Sequence, residues 1–92
     1  MITSFKCKDT EKLFNDTDVK SFKSISRKAR IKLEMLNATV SLDGLKVPPG
    51  NRLEALKGYR KGQYSIRIDS QWRICFKWEE GNSREVEIVD YH

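Results

Sequence analysis

Proton-transfer chemistry in this sequence is concentrated in its last three residues, Asp90-Tyr91-His92. His92 is the only histidine, and an imidazole with an unperturbed pKa of about 6.5 suits proton transfer near neutral pH. Asp90 is close enough in sequence to orient or charge that imidazole, and the ring of Tyr91 can stack on an unpaired base. The alternative is that His92 is a loosely ordered end residue, as most C-terminal residues are.

Positive charge dominates the segment that precedes these residues. Lys or Arg occupies positions 52, 57, 60, 61, 67, 73 and 77, against the two acids Glu54 and Asp69. The whole chain carries a net charge of +5 with a pI near 9.4, which favours a polyanionic partner such as RNA, DNA or acidic lipid. Charge alone does not decide between them, because many small basic proteins simply have a solvated surface.

Alternation of apolar and polar residues predicts two half-buried strands that meet at a two-residue turn, Asp69-Ser70. Their apolar positions are Tyr64, Ile66, Ile68, Trp72, Ile74, Phe76 and Trp78. A short strand is predicted over residues 52–56, and a last strand over 85–91 follows a turn at 81–83. Consecutive strands with tight turns indicate an antiparallel meander.

The polar face of this predicted sheet carries basic residues on neighbouring strands. Its cations are Arg67, Arg73 and Lys77. Tyr91 shares their parity, and a face that combines guanidinium groups with an aromatic ring suits single-stranded RNA. Two structural alternatives remain: the arginines pair with Asp69 or Glu87, and Tyr91 is an edge residue.

The first half of the chain predicts two helices, because Pro48 and Pro49 end the helical pattern before the strands begin. Asp9-Thr10 is a candidate cap for a helix through Phe14, and Ser24 or Ser26 for a second helix. The second helix has an apolar stripe of Ile25, Ala29, Leu33 and Leu36, widened by Ile31 and Met35. Its opposite face carries Arg27, Lys28, Arg30 and Lys32, either solvated or bound to phosphate. Residues 2–5 are compatible with a short β segment.

The 92 residues are therefore expected to form one α+β domain, residues 1–92, in which two helices cover one face of the sheet. No signal-peptide or membrane-spanning pattern is found, so a cytoplasmic location without a membrane partner is expected. Cys7 and Cys75 lie far apart in sequence and are expected to be reduced structural thiols. Metal and cofactor sites are not expected, since His92 would need carboxylates for most of its companion ligands.

Four sequence strings, taken together, resemble the HigB toxins of the RelE/ParE superfamily, particularly their GraT-like branch. They are Pro48 to Gly58 (PPGNRLEALKG), Gln63 to Arg67 (QYSIR), Gln71 to Ile74 (QWRI) and Val89 to His92 (VDYH). The resemblance spans nearly the whole chain and implies a RelE-like fold, with helices on one face of a twisted antiparallel sheet and a concave site on the other.

The resemblance also implies a function. Such toxins enter the A site of the small ribosomal subunit and cut the mRNA there. A cognate helix-turn-helix antitoxin, HigA-like, holds them inactive and represses the shared operon, so that operator DNA is reached only through the antitoxin. The implied chemistry is metal-free: the ribose 2′-OH attacks the adjacent phosphorus and the 5′-oxygen leaves.

Each step of this reaction can be assigned to particular residues of this chain. We expect His92 and Asp90 to transfer protons, Arg73 to stabilise the charged phosphorane and Tyr91 to stack on the base at the cut. The expected contacts to RNA backbone or base are Lys57, Arg67 and Gln71.

Two features depart from the family pattern. Other HigB sequences often carry histidine where this chain has Glu54, so either a carboxylate contributes there or the site has lost a contributor and is slower. Strict alternation also places Asp90 and His92 on the opposite face from Tyr91, and only a strand end or a twist near residue 90 brings the three together.

Two other functions remain open at this stage. A ParE-like inhibitor of DNA gyrase would use the same fold without cutting RNA, because a fold does not fix an activity. A basic, non-catalytic RNA- or ribosome-binding module is the second alternative. The Asp90-Tyr91-His92 group argues against a gyrase inhibitor, which has no evident need for it.

Overall fold

Two helices precede a four-stranded antiparallel sheet in the computed structural model, which describes residues 1–91. The elements are α1 (Lys8–Phe14), α2 (Ser26–Ala38), β1 (Glu54–Ala55), β2 (Gln63–Arg67), β3 (Trp72–Glu79) and β4 (Asn82–Asp90). The strands lie side by side in chain order, each antiparallel to the next. The α+β arrangement predicted from the sequence is confirmed. None of the helices in the described part of the chain combines the length and apolar composition needed to cross a membrane.

Helix α1 begins two to three residues earlier than the predicted cap implies. Cys7 occupies the cap position without a side-chain hydrogen bond, so the predicted cap at Asp9-Thr10 is wrong. Thr10 instead lies inside the helix, fully buried, and its hydroxyl accepts a hydrogen bond of 3.0 Å from the backbone N–H of Ile88 on β4. The threonine therefore connects the helix to the last strand.

Helix α2 buries the predicted stripe at Ala29, Leu33 and Leu36, all with 0% exposure. It begins at Ser26 after Ile25 and has no side-chain cap, so the predicted caps at Ser24 and Ser26 are wrong. Ile31 is 54% exposed and does not widen the stripe. Its position explains the error, because residues two apart on a helix lie on nearly opposite faces and Ile31 is two residues from both Ala29 and Leu33.

The basic residues of α2 are partly committed to contacts within the protein. The guanidinium of Arg30 lies within 3.7 Å of the Asp16 carboxylate and 3.5 Å of the Asp18 carboxylate. Lys32 donates a hydrogen bond to the side chain of the buried Asn51. These contacts favour a structural role for this part of the helix over phosphate binding.

The connections between strands differ from those predicted. Residues 68–71 join β2 to β3, where Asp69 accepts hydrogen bonds of 2.9 Å from the backbone N–H groups of Gln71 and Trp72. The two-residue turn lies instead between β3 and β4, where Glu80 and Gly81 both have positive φ, as a type I′ turn requires. Strand β1 covers only two of the five predicted residues, because Arg52 has a left-handed conformation with φ of 45°. The segment at residues 2–5 forms only isolated parallel bridges to β4.

The apolar face of the sheet packs against the helices. Ile66, Ile74, Phe76 and Val86 are completely buried there. Trp72 and Trp78 are only partly buried at the border of this core. The apolar core alternation is confirmed, and the opposite face of the sheet is left to carry the polar residues of the candidate site.

Candidate active site

Two adjoining open clefts lie at the polar side of the sheet and share Tyr91. The first, here called the arginine cleft, is lined by Arg52, Glu54, Arg67, Asp69, Ser70, Arg73 and Tyr91. The second, the tyrosine cleft, is lined by Leu56, Lys57, Tyr59, Arg60, Val89, Asp90 and Tyr91. Glu54, Arg67, Arg73 and Tyr91, four of the predicted site residues, are thus brought together in the first cleft, and Lys57 and Asp90 lie in the second.

Arg73 is fixed at the base of the arginine cleft and is only 8% exposed. Its Nε donates a hydrogen bond of 2.8 Å to the Ser65 hydroxyl, and its Nη2 donates one of 2.6 Å to the Arg52 carbonyl. The left-handed backbone of Arg52 belongs to the loop that presents this carbonyl. Arg73 therefore does not pair with Asp69 or Glu87. A guanidinium held by fixed acceptors is already oriented before any ligand arrives.

Arg67 lies directly opposite Arg73 in the register of β2 and β3. Its Nε donates a hydrogen bond of 3.0 Å to the backbone carbonyl of Asp69, so Arg67 contacts the Asp69 backbone instead of its carboxylate. Like charges directly opposite each other on a sheet are destabilising. An anionic ligand bound beside Arg67 and Arg73 would therefore relieve the repulsion between their guanidinium groups.

The two carboxylates of the arginine cleft differ in their surroundings. Asp69 is engaged by the backbone amides of Gln71 and Trp72, which hold the pKa of its carboxyl below the usual range. The Asp69 carboxylate therefore stabilises the connection between β2 and β3. Glu54, exposed on β1, lies on the same face as Ser65, its partner in the register, and so projects towards Arg73.

Tyr91 follows the end of β4 and joins the two clefts. Its ring centroid lies 5.8 Å from the guanidinium carbon of Arg73, within the range of a cation–π contact. Burial raises the pKa of the Tyr91 hydroxyl above its ordinary value, although the positive charges of Arg60 and Arg73 lower it. The phenol is therefore neutral near pH 7, able to stack and to donate a hydrogen bond but unsuited to act as a base.

Gln71 has a different place from the one predicted. It lines neither cleft; its side-chain amide donates a hydrogen bond of 3.0 Å to the Asp90 carboxylate. Its backbone carbonyl accepts a hydrogen bond of 2.6 Å from the N–H of Tyr91. Gln71 thus holds two of the predicted site residues in place. His92, the predicted proton-transfer residue, lies outside the described residues.

Sequence reasoning missed Arg60 as a structural member of this face. Its guanidinium donates hydrogen bonds of 2.9 Å to the Glu87 carboxylate and 3.1 Å to the Gln63 side chain. Burial lowers the Arg60 pKa, but the hydrogen bond and the charge of Glu87 raise it by more. Glu87 stands 27 residues further along the chain, so no local spacing pattern signals the pair.

Cys75 lies on the same face of the sheet, next to this ion pair. It is completely buried, and burial raises the pKa of its thiol. The thiol is therefore protonated near neutral pH and is not a nucleophile. Within residues 1–91, no group of three or more His, Cys, Asp or Glu side chains is arranged to hold a metal ion.

The chain is similar in sequence to known toxins of one family. Residues 3–92 match the sequence model of a family described as the RelE-like toxin of the type II toxin-antitoxin system HigB. Toxin HigB-1 of Vibrio cholerae serotype O1 is 39% identical over 83 residues, which cover 88% of this chain and 87% of that protein. Endoribonuclease HigB of Proteus vulgaris is 39% identical over 41 residues, 45% of each chain.

Solved structures support the fold. The toxin-antitoxin complex YoeB-YefM from Staphylococcus aureus contains a chain that superposes with a TM-score of 0.64 at 20% identity, covering 100% of this chain and 95% of that one. A heterotetrameric complex of the same pair gives a TM-score of 0.62 at 22% identity. Together with the family match over residues 3–92, these findings establish that the chain belongs to the HigB-like family of RelE-like toxins from type II toxin-antitoxin systems.

Proposed function

We propose that this protein is a ribosome-dependent endoribonuclease that cuts mRNA in the A site. The observation that carries the proposal is the arginine cleft, in which Arg67 and Arg73 face each other beside Glu54 and Tyr91. The name of the Proteus vulgaris relative, Endoribonuclease HigB, supports an RNA substrate. Paired guanidinium groups beside a neutral aromatic ring suit a backbone phosphate that carries an unpaired base.

The proposed reaction is an internal displacement at phosphorus. The 2′-oxygen forms a bond to the adjacent phosphorus while the bond to the 5′-oxygen breaks, which leaves a 2′,3′-cyclic phosphate and a 5′-hydroxyl. One group removes the proton of the 2′-hydroxyl and another protonates the departing 5′-oxygen. Each proton transfer contributes roughly 10²- to 10⁴-fold to the rate.

Arg73 stabilises the phosphorane, which carries more negative charge than the phosphate of the substrate. Because Ser65 and Arg52 already hold its guanidinium, little reorganisation is needed as that charge develops. Removing one preorganised donor of this kind typically costs about 10²- to 10³-fold in rate. Arg67, on the neighbouring strand, contacts the RNA backbone.

His92 and Asp90 carry out the proton transfers, with Glu54 as a further carboxylate at the arginine cleft. Gln71 orients the Asp90 side chain, so we assign it a positioning role in place of direct contact with RNA. Tyr91 stacks on the base at the cut, with Arg73 on its other side. Lys57 contacts a phosphate in the tyrosine cleft.

The proposed partners are those of a toxin from this family. A cognate helix-turn-helix, HigA-like antitoxin binds the protein and connects it to operator DNA, and both act in the cytoplasm. The YoeB chains that share its fold were solved in complexes with YefM. Phosphate contacts carry much of the proposed affinity, so the protein should bind ribosomes and RNA more weakly as the salt concentration rises. A plot of the logarithm of the binding constant against the logarithm of the salt concentration should have a slope near −0.7 for each phosphate contacted.

Primer extension in a purified translation system tests the proposal. We expect new mRNA ends within the A-site codon when toxin and ribosomes are both present, and none with toxin and mRNA alone. Cleavage of free mRNA at the same rate would contradict the ribosome dependence. Intact mRNA together with a loss of DNA supercoiling would support a gyrase inhibitor instead. Intact mRNA on ribosomes that bind the protein tightly would favour a non-catalytic binding module.

A further inference from the structure

Tyr59 is the most exposed large hydrophobic residue among those described, with 96% of its surface accessible. It lies on the turn Gly58–Arg60; Gly58 at the start of this turn and Gly62 shortly after it have positive φ, of 66° and 93°. A Cβ atom added at either glycine would meet nothing within 4 Å, so the backbone at both glycines borders open space. Because the Tyr59 ring is almost fully accessible, it contributes little to folding and its face is open to a ligand.

The surroundings of Tyr59 are cationic. The guanidinium carbon of Arg60 lies 5.9 Å from the ring centroid, and Glu87 and Gln63 hold that guanidinium in place. Lys57 and Lys61 flank the turn, and residues 55–68 contain no Asp or Glu. An aromatic ring among cations is the combination that binds single-stranded nucleic acid, because the cations contact the backbone while a base stacks on the ring.

Tyr59 and Tyr91 line the same cleft, each with an arginine guanidinium about 6 Å from its ring. Tyr91 also borders the arginine cleft, whereas Tyr59 does not. An RNA strand that runs from the arginine cleft into the tyrosine cleft therefore meets two aromatic platforms in succession. Lys57 lines the same cleft and is available to contact the connecting backbone.

We propose that the tyrosine cleft is a second nucleotide-binding subsite, in which an unpaired base adjacent to the cut stacks on Tyr59 while Lys57 contacts its phosphate. This subsite rests on the proposed function, because it binds part of the same RNA substrate. It adds binding energy from a nucleotide that takes no part in the bond being broken. Stacking on an aromatic ring is tolerant of base identity, so the subsite favours unpaired RNA without selecting one sequence.

The test uses fluorescein-labelled full-length protein and ribosomes programmed with two uncleavable messages. The long message carries 2′-O-methyl groups in the A-site codon and continues beyond it, and the short message ends in the P site. Fluorescence anisotropy gives the dissociation constant for each. We expect the parent protein to prefer the long message and Tyr59→Ala to lose roughly 5- to 150-fold in affinity for it. On the short message, the two proteins should bind equally.

Two matched variants complete the test. Tyr59→Phe retains the ring and should restore the affinity of the parent, while Val40→Ala removes an exposed apolar side chain elsewhere and should change nothing. Equal melting temperatures for all variants would exclude a folding effect, as expected for a side chain that makes so little contact with the fold.

Three results would overturn the subsite: no preference of the parent for the long message, no loss in Tyr59→Ala, or an equal loss on the short message. The last of these would mean that the ring contacts the ribosome. Failure of the proposed function is a separate result, because it appears as intact mRNA when cleavable messages are incubated with the parent protein. A preference for the long message that depends on Tyr59 would support the subsite even then.

Discussion

The two faces of the sheet are stabilised by different interactions. On the face covered by helices, Ile66, Ile74 and Phe76 are completely buried among apolar neighbours. On the opposite face Ser65 and Cys75 are buried to the same degree, although that face is polar. Hydrogen bonds and ion pairs there replace apolar packing: the Arg52 carbonyl accepts from Arg73, and Arg60 donates to Glu87.

This difference separates stability from chemistry. Apolar burial is non-directional, so the helix-covered face tolerates changes of shape at a cost in unfolding free energy alone. The polar face positions charges through directed hydrogen bonds, and a small displacement of Arg73 would change where its positive charge meets the proposed RNA substrate. Substitutions on the two faces should therefore affect different measurements.

The largest loss of stability is expected at the centre of the apolar face. Ile74→Ala removes a completely buried side chain and should lower the free energy of unfolding by about 2–5 kcal/mol, measured by urea denaturation. Cleavage per folded molecule should stay close to that of the parent. Slower cleavage by Ile74→Ala under conditions where it is fully folded would show that packing on the apolar face also affects the site on the polar face.

Arg73→Lys tests the polar face. Lysine keeps the charge but lacks the planar set of donors that reaches Ser65 and the Arg52 carbonyl together. Single-turnover cleavage on programmed ribosomes should slow by about 10²- to 10³-fold, equivalent to roughly 2.7–4 kcal/mol. Arg84→Lys, at an exposed position of β4, is the matched control and should react like the parent. Equal cleavage rates for the parent and Arg73→Lys would contradict the proposed role of the Arg73 guanidinium in the reaction.

Ser65→Ala has a smaller expected effect and should change both stability and cleavage rate. It leaves the buried Nε of Arg73 without its acceptor, which should cost about 1–3 kcal/mol of stability by urea denaturation. The cleavage rate should also fall, but by less than in Arg73→Lys, because the Arg52 carbonyl still holds the guanidinium. Ser24→Ala, at an exposed serine outside both clefts, should change neither quantity.

The smallest effect concerns Asp69 and depends on pH. The pKa of its carboxyl is lowered in the folded protein by the Gln71 and Trp72 amides, with smaller help from Lys28 and Arg67. A lowered folded-state pKa means that ionised Asp69 stabilises the fold above its unfolded-state pKa of about 3.9, and that this stability is lost as pH falls through the folded-state pKa. The urea midpoint of the parent should exceed that of Asp69→Asn at pH 7, and the difference should disappear in acid. A difference independent of pH would contradict this role.

The apolar face could be predicted almost completely from the sequence. Alternation identified Ile66, Ile74 and Phe76, and helical spacing identified Leu33 and Leu36, because burial follows these periods directly. Helix caps and turns were predicted less well. Their positions depend on individual backbone conformations, such as the left-handed Arg52 and the positive φ at Glu80 and Gly81, which periodicity does not encode.

The polar face could be predicted only in outline. Alternation in the sequence predicted that Arg67, Arg73 and Tyr91 share one face of the sheet. The contacts that fix Arg73, however, join residues that are distant in sequence. The partner of Arg60 is Glu87, and the side chain of Gln71 binds Asp90, which no spacing pattern indicates. Tyr59 was missed because an aromatic residue in a basic turn has no periodic neighbours.

The central claim is that this face cuts RNA through proton transfer by His92. Its most direct test is single-turnover cleavage on programmed ribosomes by the parent and by His92→Ala, with ribosome affinity and melting temperature measured for both. We predict that His92→Ala cleaves roughly 10²-fold more slowly or worse while its affinity and melting temperature change little. Equal cleavage rates for the two proteins would contradict the account.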